Sequence, residues 1–162
     1  TALMRTGLLA GGAAIGTTLF GISSIRVGWV KRAPFLAAAL STAVAAIGFL
    51  LLALTASLPM ITFAFILRGG MFATWTFLLT AIGQYAPRRL QTRAFALVEV
   101  LGGGALSFAP VAASQMYQVR PELPLLAAAG GGLLMAGVLV HRFRRGFSVV
   151  EKPVLEVSAP FP

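Results

Sequence analysis

The sequence predicts an all-α membrane protein of five transmembrane helices. Three observations carry that expectation. Hydrophobic residues make up 58% of the 162-residue chain and charged residues 10%, against about 25% charged in an ordinary soluble domain. Mean hydropathy is +0.90. Five apolar runs follow one another, each of about 18 residues or more, which is the length that crosses a ~30 Å hydrocarbon core. The runs are continuously apolar and do not alternate, so helices are expected in place of barrel strands. A helix also satisfies its backbone polar groups within its own segment, as lipid requires.

The first span is expected over residues 7–25. It is rich in glycine, with Gly7/Gly11 and Gly12/Gly16 forming small-xxx-small pairs that let membrane helices approach closely. Tight packing is one reading of them, and helices that slide or rock is another. Pro34 opens the second span (34–55) and Pro59 the third (59–86), where a missing N–H costs little. Pro87 closes the third. The fourth span (94–117) carries Gly102, Gly103 and Gly104. It also holds Pro110, which is expected to kink the helix and free a carbonyl near Leu106. Pro121 and Pro124 punctuate the loop before the fifth span (123–140). Residues 1–145 thus form the transmembrane region. Residues 146–162, GFSVVEKPVLEVSAPFP, mix charges and prolines and read as a disordered tail. The chain opens on Thr1 with a span almost at once and no signal-peptide pattern, so it is expected to be a piece of something longer.

Charge fixes the expected orientation. Arg26, Lys31 and Arg32 lie in the first connection, Arg88, Arg89 and Arg93 in the third, and Arg142, Arg144, Arg145 and Lys152 beyond the fifth span. Ten of the thirteen basic residues therefore fall on one side, in step with five crossings. The positive-inside rule puts that side in the cytoplasm and the N-terminus outside. An integral protein of a bacterial inner (plasma) membrane is expected, with the tail cytoplasmic. The same rule accounts for the net charge of +9, so no nucleic-acid partner is expected.

Composition also excludes most chemistry. There is no cysteine and one histidine, His141, so no metal-ligand spacing exists. The acids are Glu99, Glu122, Glu151 and Glu156, and no two share a span. No catalytic constellation emerges, so neither an enzyme nor a cofactor is expected. Gly102–Gly104 lies inside an apolar helix with no following Gly-Lys-Ser/Thr and is not a phosphate loop.

The first connection reads Gly21-Ile-Ser-Ser-Ile-Arg26-Val-Gly28-Trp-Val-Lys31-Arg32. It resembles the G-x-L-x-D-R-x-G-R motif of the major facilitator superfamily, matching at Gly21, Arg26 and Gly28. Ser23, Ile25 and Trp29 stand where that motif has leucine, aspartate and arginine, and Lys31 and Arg32 supply nearby cations. The third and fourth spans, joined by APRRLQTRAFAL, lead to a glycine-rich helix with Ala109–Pro110 and then to YQVRPELPLLAAAGG. This order is similar to the closing helices of that superfamily. The resemblance covers residues 7–145 through degenerate motifs. It implies a partial facilitator-type helical bundle, helices eight to twelve, with helices two to six of the first half as the competing register. A small-molecule solute would then cross by alternating access, and a missing N-terminal half would complete the cavity. The other reading is a non-transport membrane assembly or structural subunit.

Arg68 is the only charge in the third span. An arginine at mid-membrane costs roughly 2.5–3.5 kcal/mol on the insertion scale. It reads as a cation facing a cavity that takes an anionic solute, as a partner for a neighbouring helix, or as a side chain snorkelling to the interface. Helical spacing puts Phe72 and Trp75 on its face with Thr76 beside them, and these three join it as candidate pathway residues. Glu99, the only acid within a span, reads as a latch on the inner gate, a proton-coupling site or a structural pair. Protons are accordingly a candidate partner. A Glu99–Arg68 salt bridge would have to span about 10 Å of depth.

Overall fold

The structure, a computed structural model, describes residues 2–26 and 28–144. Seven helices account for nearly all of them: α1 (Ala2–Arg26), α2 (Gly28–Arg32), α3 (Pro34–Leu54), α4 (Leu58–Arg68), α5 (Gly70–Tyr85), α6 (Arg88–Val119) and α7 (Leu123–Arg144). Four helical stretches are long and apolar enough to cross a membrane: Pro34–Leu54, Leu58–Tyr85, Arg88–Val119 and Leu123–Arg142. α1 has 25 residues, about 37 Å at 1.5 Å per residue, and carries the apolar segment Leu9–Ile22.

The third span is one apolar helical stretch, Leu58–Tyr85, as expected, and it tightens at Gly69 between α4 and α5. There the Gly69 N–H donates to the Ile66 carbonyl at 3.0 Å and the Phe72 N–H to the Gly69 carbonyl at 3.2 Å, i→i−3 bonds that tighten the turn. Two expectations need correction. The fourth helix begins at Arg88, not at residue 94, so Arg88, Arg89 and Arg93 occupy its first turns and not a loop. Pro87 supplies the helical start, its carbonyl accepting from Leu90 and Gln91. The Gln91 side-chain amide then reaches back to the Gly83 and Ala86 carbonyls at 2.9 and 3.2 Å, closing the end of α5. The first connection is likewise not a glycine-permitted turn. Gly21 lies inside α1, Arg26 ends it, and Gly28 to Arg32 form the short α2. The tail 146–162 lies outside the described residues.

α3 is the hub of the bundle. It packs against α4, α5 and α7, while α1 lies against α4 and α5 from the other side. The contacts are made backbone to backbone through glycines. α1 runs parallel to α4, with Gly12 against the Thr62 carbonyl and Gly16 against the Ile66 carbonyl. α3 meets α4 at Gly48, where a Cβ would stand 2.9 Å from the Ala64 carbonyl and 3.2 Å from the Arg68 amide nitrogen. α7 meets α3 where Gly132 faces Ala46. The buried residues are correspondingly small: Ala37, Ala38, Ala39, Ala45, Ala46, Ala64 and Ala81, with Phe77 the largest apolar side chain among the described residues of the core. Such packing suits a bilayer, where lipid tails are as apolar as leucine and close van der Waals approach replaces the hydrophobic effect as the force between helices.

A hydroxyl cluster adds the polar part. Ser41 and Thr42 of α3 face Thr74 of α5, with oxygen separations of 2.7 and 3.2 Å. Each hydroxyl has one proton. One arrangement that uses all three has Thr42 donating to the Ala38 carbonyl (2.7 Å), Ser41 to Thr74, and Thr74 to the Gly70 carbonyl (3.1 Å); in others Ser41 donates to the Ala38 carbonyl at 3.0 Å. Ser41 is the one buried polar side chain among the described residues, and the cluster leaves its oxygen partnered. Such interhelical bonds contribute about 0.6 kcal/mol each in membranes.

The glycine contacts make a paired prediction. Gly16→Ala puts a methyl group onto the Ile66 carbonyl and is expected to destabilise the bundle by about 1–3 kcal/mol. Gly103 has open space around it, so Gly103→Ala is expected to be neutral or stabilising by up to about 1 kcal/mol. Thermal unfolding in detergent separates the two, and equal shifts would refute backbone contact at Gly16.

Candidate functional site

The site is built from the α3–α4 contact upward. Gly48 brings the α3 backbone against the Arg68 amide. The next residue, Phe49, then sets its ring centroid 5.6 Å from the Arg68 guanidinium carbon. Phe65, one turn before Arg68 on α4, sets a second ring at 5.6 Å. The guanidinium is thus flanked by two phenyl rings, while Arg68 itself stays exposed. By residue counting it sits about 5 Å from the midpoint of the Leu58–Tyr85 span.

The rings decide how the charge is tolerated. A cation–π contact contributes about 0.5–1 kcal/mol when exposed and about 2 or more when desolvated. Two of them offset a large part of the roughly 2.5–3.5 kcal/mol insertion cost. They neutralise nothing, however. Arg68 meets no carboxylate among the described residues, and its five N–H donors find no acceptor among them. The arrangement is a held cation with its hydrogen-bonding capacity unspent.

The exposed face continues along the span. Phe72 is 62% exposed and Thr76 is exposed one turn further on, its hydroxyl donating to the Phe72 carbonyl at 3.4 Å. Thr80 repeats the pattern on the Thr76 carbonyl at 2.8 Å. Trp75 does something different. Its indole lies directly over Gly102 of α6, in the space a Cβ would occupy. Sequence spacing put Trp75 with Arg68, but the contact it makes is the docking of α6 on α5.

Depth follows from the short connection between α5, which ends at Tyr85, and α6, which starts at Arg88. By rise counting from that end Arg68 lies about 9 Å deeper than Glu99. Glu99 is exposed on α6, about 9 Å beyond Arg93. The two charges are therefore separate features. Pro110 lies within an uninterrupted α6, and its missing N–H leaves the Leu106 carbonyl without its usual i+4 donor. Among the motif cations, Arg26 and Arg32 are exposed. The Lys31 side chain lies outside the described set. No group of three or more metal-ligating side chains occurs among the described residues.

Two residues at the site were not visible in the sequence reading. Phe65 was available from its i−3 spacing to Arg68. Phe49 was not, because it belongs to another helix and its register depends on Gly48. A Gly102→Val variant tests the α5–α6 contact. It is expected to expel the indole and change Trp75 emission and its quenching from the lipid side in a Trp29→Phe background, whereas Gly104→Val, with open space at its Cβ position, is expected to leave both unchanged.

Comparisons with protein-family models, with curated proteins and with solved structures find no match to this chain. Its function is therefore read from the chemistry of the site.

Proposed function

We propose that this chain is part of a secondary transporter of the facilitator type, in which Arg68 presents a fixed cation to a small anionic solute. One observation carries the reading: a mid-span guanidinium that is held by two aromatic faces and has no counter-charge among the described residues. A purely structural arginine in lipid would be expected to spend its donors on a carboxylate or on carbonyls. The exposed Phe72 and Thr76 extend the pathway from Arg68. The resemblance of residues 21–32 and 86–131 to facilitator motifs is what points to the family. On this reading the missing half of the cavity belongs to another part of the same transporter, the basic end is cytoplasmic, and the chain performs no catalysis.

A second reading, a static assembly subunit, is favoured by the backbone contacts at Gly16 and Gly48, which suit a rigid bundle. The encoding gene separates the two. Seven further apolar spans upstream of Thr1 are expected for a transporter, and an initiating methionine immediately before Thr1 would overturn that reading.

Mutants in the reconstituted full-length protein test the roles. Arg68→Ala is expected to lower solute flux at least about tenfold with membrane insertion unchanged, and Arg68→Lys to restore part of it. Undiminished flux in Arg68→Ala would remove the cation from the mechanism. Glu99→Gln tests proton coupling separately: a flattened dependence of flux on pH is expected if Glu99 carries the proton, and an unchanged profile assigns it to the gate or to packing.

A further inference from the structure

A second site lies at the opposite level of the bundle, between α3 and α7. A cleft of about 340 Å³ opens at the end where the basic residues gather. Its walls are apolar: the small residues Ala39 and Ala43 from α3 and Ala136 and Gly137 from α7, with Leu40 and Val140 at the sides. Ala39 and Ala136 form a buried floor, at 1% and 7% exposure. A Cβ at Gly137 would meet nothing within 4 Å, so the slot is real space and not a tight helix crossing. His141 and Arg144, one turn apart at the end of α7, form its mouth. From Ala136 to Arg144 the cleft runs about 12 Å along the helix, from the polar boundary into the apolar zone.

The cations at the end of α7 have an ordinary explanation, since they complement the negative end of the helix dipole. That accounts for charge, and it does not account for an apolar slot directly beneath the charge. A slot of this kind matches one ligand class. We propose that it holds an anionic phospholipid, with the phosphate on Arg144 and His141 and the upper acyl chain lying on Ala39, Ala43 and Gly137. Arg144 supplies a permanent charge and a fork of donors suited to phosphate oxygens. The His141 ring supplies a further N–H donor. A free phosphate would use the mouth but not the slot, whereas a phospholipid uses both. Basic pockets between membrane helices recognise anionic headgroups on this principle. The inference rests on the membrane-spanning character of the chain and stands whether or not the chain transports a solute.

The test is lipid binding to the full 162-residue chain in detergent, read by native mass spectrometry with phosphatidylglycerol and phosphatidylcholine as probes. The wild type is expected to prefer phosphatidylglycerol. Arg144→Ala should lower that preference about five-fold, the factor for one interfacial cation. Arg93→Ala, a cation at the same end but outside the cleft, should not change it. Gly137→Leu fills the slot while leaving every charge in place, and should weaken phosphatidylglycerol binding without lowering the melting temperature. Inorganic phosphate in excess should not compete. Equal binding of the two lipids, equal losses in Arg144→Ala and Arg93→Ala, or full binding in Gly137→Leu would each overturn the proposal. The first two would mean a diffuse basic surface and the last a headgroup site without a slot.

Discussion

The approach of the α3 backbone to α4 at Gly48 is the constraint on which most of the molecule depends. It sets the register of α3 against the third span, and with it the position of Phe49 over the Arg68 guanidinium. The same register places Ser41 and Thr42 opposite Thr74 two turns away and leaves the other face of α3 for α7. One missing side chain thereby couples the packing of the bundle to the environment of Arg68. A larger residue at position 48 would separate the helices and move the ring and the hydroxyls together.

The division of labour between helices follows from how lipid treats side chains. Leucine and phenylalanine gain little by leaving lipid for protein, so large apolar residues such as Leu54, Phe72 and Phe108 remain on the outside. Glycine and alanine gain by letting backbones touch, and they fill the interior. α6 marks the limit of this logic. It buries none of its described residues and joins the bundle through α5 and α7 alone. Gly102 accommodates the Trp75 indole, yet Gly103 and Gly104 border open space, so the glycine run is wider than the contact that uses it.

Much of the fold was legible from hydropathy and proline placement, because both report directly on lipid-length helices and their ends. Residues 34–55 and 123–140 fall within two residues of helix boundaries at three of four ends. The fourth helix was placed late because its first turns carry Arg88, Arg89 and Arg93, and hydropathy reads cations as loop although arginine is a good helix former. The turn at Gly69 was hidden for the opposite reason. Glycine in an apolar run is common, and only the proximity of Gly16 explains why the chain tightens there. The candidate site divides in the same way. Arg68, Phe72 and Thr76 share a face by spacing alone. Phe49 and the Trp75–Gly102 contact depend on interhelical register, which a single helix period does not contain.

Arg68 and Glu99 were expected to differ by about 10 Å in depth, and counting from the α5–α6 connection gives about 9 Å. Arg68 meets no carboxylate among the described residues. Each charge then has to be accommodated by itself. Arg68 has a local solution in two aromatic faces, and that solution stabilises the cation while leaving its donors available. Glu99 has no such neighbour among the described residues and stands exposed on the least buried helix. The asymmetry separates the two residues: Arg68 is a cation held between aromatic faces, and Glu99 is an exposed side chain without such support.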